Sequence, residues 1–107
     1  MTSKIDINSN TDRKLLRTIA HQLSPVVTLA QKGLSESVSM ELERALTQHE
    51  LIKVKIFAAD RLARRELTQS ICDSTGASLV QSIGNVAVLY REASTPNPRL
   101  SNLLRKK

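Results

Sequence analysis

Aromatic side chains are almost missing from this sequence: Phe57 and Tyr90 are the two among 107 residues, and tryptophan is absent. Two rings cannot build a platform on which several bases stack, which disfavours an RNA-recognition-motif mode and a single-strand stacking groove. Cysteine is reduced to Cys72, which excludes an internal disulfide and a cysteine-based metal cluster and fits a reducing, cytoplasmic setting. Three glycines, Gly33, Gly76 and Gly84, are too few and too scattered for a nucleotide loop, whether a P-loop or a dinucleotide fingerprint. Long apolar runs are lacking as well. No stretch is long enough to cross a membrane, and the polar lead-in "MTSKIDINSN" has no apolar core of a secretory signal.

What is present is positive charge. Sixteen Lys and Arg stand against ten Asp and Glu, a formal excess of +6, which on a chain of one-domain length favours an anionic partner. After a lead-in over residues 1–10, the pattern turns helical at Thr11, with Thr11 or Asp12 as the expected cap. Leu15, Leu16, Ile19, Ala20 and Leu23 cluster on one side, and Arg13, Lys14, Arg17 and His21 share an arc on the other. Ser24-Pro25 ends that helix, and "VVTL" reads as a short buried strand. Ser35 caps a second helix whose stripe runs through Leu34, Val38, Leu42, Ala45 and Leu46, with Glu36, Met40 and Glu43 on its far side. "LIKVKIFA" alternates as a strand with Lys53 and Lys55 on one face, a face that a helix is expected to cover. Asp60 caps a third helix, with Ala63, Leu67 and Ile71 as its stripe and Gly76 as its terminating glycine. "SLVQSI" and "VAVLYR" then form a hairpin about Gly84-Asn85. The expected class is α/β, in the order α-β-α-β-α-β-β, with a four-stranded mixed sheet in which helix-linked strands are parallel neighbours. From Glu92 the prolines and basic end read as a tail, so that residues 11–92 form the domain and 93–107 a flexible extension.

The candidate site lies in "VVTLAQKGLSESV". Gln31, Lys32 and Gly33 sit at the mouth of the second helix, where unpaired amide groups favour an anion, although a tight turn alone would also use Gly33. The stripe of Arg13, Lys14, Arg17 and His21 contains no acid and feeds the strand that delivers this loop, whereas a solvated outer face would mix signs. Together they suit a binder of phosphates and shape, which fits structured RNA. His49 extends the apolar stripe of the second helix and suits a packed or capping role, His21 has no acidic neighbour in sequence to tune it, and no triad, metal set or carboxylate pair emerges. The proximity of Arg61 and Arg65 would lower the pKa of Cys72, though it also reads as a plain surface thiol. The reading is of a non-enzyme without cofactor, metal, membrane or small-molecule substrate. A module docking to an acidic protein is the alternative.

Three blocks, "LRTIAHQLSPVVTLAQKGLSESV", "HELIKVKI" and "TGASLVQSIGNVAVLYR", resemble in order and spacing the CRM domain (chloroplast RNA splicing and ribosome maturation), and in particular its stand-alone bacterial YhbY-type members. The resemblance spans roughly residues 14–91. It implies a fold similar to the C-terminal domain of translation initiation factor 3, RNA binding, and association with precursors of the large ribosomal subunit. It also implies a GxxG loop that contacts RNA beside a basic surface. Gly33 matches the second glycine of that loop, and Ala30 stands where the family has the first, which puts the weight on Lys32 and Gly33.

Overall fold

The computed structural model describes residues 5–30, 34–94 and 101–103. Helix α1 (Asn10–Ala20) is capped by Ser9, whose side chain accepts from the Asp12 amide, and not by Thr11 or Asp12. Starting two or three residues earlier places Asp12 inside the first turn, where its charge complements the helix dipole. Strand β1 (Pro25–Leu29) leads to α2 (Glu36–His49), capped by Ser35, and then to β2 (Leu51–Ile56). Helix α3 (Arg61–Thr75) begins at the Asp60 cap and ends at Gly76, whose φ of 77° is the left-handed conformation that favours glycine. Strands β3 (Ser78–Ile83) and β4 (Val86–Tyr90) close the order. Gly84 alone takes positive φ in their two-residue turn, the pattern of a type II′ hairpin.

The sheet order is β1-β2-β4-β3, with β1 parallel to β2 and the other pairs antiparallel. The helix-linked strands β2 and β3 were expected as neighbours, yet β4 lies between them. Burial explains the order. Four of the five residues of "VAVLY" are buried, as a central strand requires, while "SLVQSI" keeps Leu79, Ser82 and Ile83 exposed and suits an edge.

Helices occupy both faces. Ile52, Val54 and Ile56 of β2 join Leu42, Leu46 and Ile71 under α2 and α3. Leu51 points the other way, into a second cluster with Leu16, Ala20, Val80, Val88 and Tyr90 beneath α1. Strand alternation therefore puts Lys53 and Lys55 on the face that carries α1.

The chain after Arg91 is more tightly held at its described residues than a tail would be. Ser101 is fully buried and donates its hydroxyl to the Glu50 carboxylate at 2.7 Å. The Ala93 amide donates to the other oxygen of the same carboxylate at 2.8 Å. Asn102 bonds the carbonyls of His49 and Leu51, and Leu103 packs against the cluster under α1.

Candidate nucleic-acid interface

The sheet has an end where several connections meet. Leu29 and Ile56 are paired at the ends of β1 and β2, and the Phe57 amide donates to the Leu29 carbonyl at 2.9 Å. The Ile56 amide donates to Asn85 in the hairpin turn at 2.7 Å. Ala30, exposed, leaves β1 at this end, and Leu34 returns to pack against the core below α2. Gln31, Lys32 and Gly33 lie outside the described residues, so the loop is fixed here by its two anchors.

Helix α1 lies across the opposite half of its sheet face. Its Asp12 flank is turned to the starts of β2 and β3: the charge of Asp12 acts on Tyr90, which pairs with Leu51 and Ser78. Its Arg13 flank is turned further along the sheet, where Arg13 Nη2 donates to the Val80 carbonyl at 2.9 Å. Arg17 and His21 follow Arg13 at helical spacing on the same flank, and Lys14 stands exposed beside them. That flank thus faces the half of the sheet on which Lys53 and Lys55 sit.

The arginine nearest the sheet has structural work. Arg13 Nη1 also donates to the Ile7 carbonyl at 3.2 Å, so its guanidinium pins the lead-in to β3 while keeping its charge. Arg17 is half-buried; Lys14 and His21 are exposed. Among the described residues, no ion pair engages Arg13, Lys14, Arg17, Lys53 or Lys55.

Sequence reasoning expected a helix to cover the face of Lys53 and Lys55, and the structure leaves both half-buried on the face that carries α1. Lys55 pairs with Thr28, two residues before Ala30, and its ammonium lies 5.4 Å from the centroid of the Phe57 ring, a cation–π distance. Phe57 is 43% exposed beside the loop anchor. Helix flank, strand lysines and loop anchor therefore follow one another across a single sheet face.

The second chemistry suggested by sequence is not there. Burial, followed by the charge of Asp73, pushes the Cys72 thiol up, although Arg61 and Arg65 line the same cleft. It is not an activated thiolate. Among the described residues no group of His, Cys, Asp and Glu is arranged to hold a metal ion, and no helix is long and apolar enough to cross a membrane.

Comparison with known proteins bears on this surface. Residues 9–91 match the model of the CRS1 / YhbY (CRM) domain. A protein of Pseudomonas aeruginosa, described as a probable RNA-binding protein, is 48% identical over 93 residues, covering 87% of this chain and 89% of its own. An RNA-binding protein of Haemophilus influenzae is 45% identical over 94 residues, covering 85% and 95%. Among solved structures, a hypothetical protein of Staphylococcus aureus superposes with a TM-score of 0.71 at 29% identity, covering 81% of this chain and 91% of its own.

Proposed function

Because the chain belongs to the CRS1 / YhbY (CRM) domain family, we propose that it is an RNA-binding protein that grips structured ribosomal RNA and assists maturation of the large ribosomal subunit in the cytoplasm. The observation that carries the reading is the run of uncompensated cations across one sheet face, from the Arg17 flank of α1 through Lys53 and Lys55 to the Ala30 anchor. Relatives described as RNA-binding proteins support the polymer. The family resemblance supports the ribosomal precursor as its source.

Each part has a task. Lys14, Arg17, Lys53 and Lys55 neutralise successive phosphates, with His21 adding a contact at the end of the helix. Gln31, Lys32 and Gly33 meet a phosphate where the second helix opens. Phe57 offers one base a single stacking face beside Lys55, too little to read a sequence. The result is affinity for backbone and shape, held without covalent chemistry, cofactor or metal.

The test is a titration against a structured ribosomal RNA fragment at several salt concentrations. Neutralising about five phosphates should give a log–log salt slope of about −4. Lys32→Glu combined with Arg17→Glu should weaken binding by at least about tenfold while leaving thermal unfolding nearly unchanged. A slope near zero, or normal binding by the double variant, would reject this surface. Partners that survive nuclease treatment in a pull-down would favour docking to an acidic protein instead.

A further inference from the structure

A second concentration of positive charge lies on the other face of the sheet. The cleft between α3 and the edge strand β3 has a volume of about 450 Å³ and is lined by Arg61, Arg64 and Arg65, with Gln69 and Ser82 among its polar groups. None of its lining residues is acidic. Of the nearby acids, Glu66 lines a separate hollow with Ala63 and Leu67, Asp60 is occupied as the cap, and Asp73, two turns beyond Arg65, accepts from the cleft residue Gln69. Among the described residues no ion pair engages the three arginines, and the side-chain bond given to them is a long 3.5 Å contact from Arg64 to Asn85.

Their placement runs against the helix. Both α1 and α2 carry an acid in the first turn, Asp12 and Glu36, as the dipole favours. Helix α3 carries none there and begins with Arg61, followed one turn on by Arg64 and Arg65. The Asp60 cap sets one negative charge against three positive ones, so cations remain in excess at the positive end of this helix, and conflicts of this kind are retained where function requires them.

We propose that the α3–β3 cleft is a second anion surface that takes the phosphodiester backbone of another RNA segment, so that the protein holds two segments at once. This rests on the RNA-binding reading of the α1 face. The chemistry selects a phosphate chain over an acidic protein. Guanidinium groups match phosphate oxygens in bidentate geometry, whereas protein hot spots combine such arginines with buried Trp or Tyr, and no aromatic residue lines the cleft. Position selects a separate segment. The loop anchor lies at the β1 edge, the cleft at the β3 edge, and α1 and α3 cover opposite faces. A straight duplex lying on one face does not reach the other.

The experiment immobilises one RNA hairpin on beads, adds the full-length protein, washes, and then adds a second hairpin carrying a fluorophore. The wild type should retain the fluorophore. The variant Arg61→Glu/Arg64→Glu/Arg65→Glu should hold the immobilised hairpin within about twofold of wild type, because none of the three arginines is among the cations of the α1 face, yet lose the second label by at least about tenfold. Should that variant lose its circular dichroism spectrum, Arg61→Gln/Arg65→Gln, which spares the Asn85 contact, carries the same prediction with a smaller loss. A variant that keeps the second label overturns the inference. So does a wild type that holds the beads and captures no second hairpin, the result expected if an acidic protein fills the cleft. A wild type that fails to hold the first hairpin overturns the RNA-binding reading itself.

Discussion

Tyr90 shows how far one side chain's surroundings can move its chemistry. It is buried under α1, and burial, then the charges of Glu50, Glu92 and Asp12, push its phenol up to about 12. An unfolded chain releases that proton near the ordinary value of about 10. Between those two values the folded state binds more protons than the unfolded state, so stability falls as pH rises through the window. Below about pH 10 the contribution is complete and flat. Urea midpoints measured at pH 9 and at pH 11.5 should therefore drop for the wild type and drop less for Tyr90→Phe. Equal drops in both would mean that other groups govern the alkaline limb. Glu50 is the neighbour that matters most here, and nothing in "HELIKVKI" announces it: a glutamate at φ 63°, 3% exposed, with its carboxylate satisfied by residues about fifty positions away.

At the scale of the element, the ends written in local chemistry were legible and the partners were not. Ser35, Asp60 and Gly76 stand where a cap or a left-handed terminus was expected, because each acts within four residues of itself. Ser9 was missed because Thr11 and Asp12 are equally good caps by type, and only the fold chooses among them. Strand order depends on burial across the whole sheet, which is why the hairpin's second strand took the central place. Arg91 belongs to this class of hidden links. Its Nη1 donates to Glu43 on α2 and to the Thr75 carbonyl at the end of α3, both at 2.9 Å, and its Nη2 donates to Thr47 at 3.0 Å. Glu43 is 51% exposed, so water weakens the ion pair, and the carbonyl and hydroxyl contacts carry more of the stabilisation. Arg91→Ala should cost about 1–3 kcal/mol in urea unfolding, and Glu43→Gln less than about 1 kcal/mol. The reverse ranking would mean that charge, and not the bridge between elements, holds the helices together.

The whole molecule adds what no single element contains, namely which surfaces coincide and how the ends are closed. The basic stripe of α1 was visible as periodicity, but whether Lys53 and Lys55 join it depends on where α1 crosses the sheet, and a crossing position leaves no mark in a window of residues. The same holds for the last segment. "ASTPNPRLSNLL" looks like an extension by composition, yet Ser101, Asn102 and Leu103 close over the junction between α2 and β2 and over the cluster beneath α1. Removing them takes from the buried Glu50 carboxylate one of its two donors among the described residues and frees the carbonyls of His49 and Leu51. A chain truncated after Ser94 should therefore lose about 3 kcal/mol, seen as a thermal midpoint lower by about 10–20 °C. A chain truncated after Leu103 keeps every one of these bonds and should melt with the full-length protein. If both truncations melt alike, the segment contributes nothing to the fold. If the shorter chain alone melts early yet binds RNA normally at low temperature, the segment closes the core from outside the interface, as the placement of Ser101 requires.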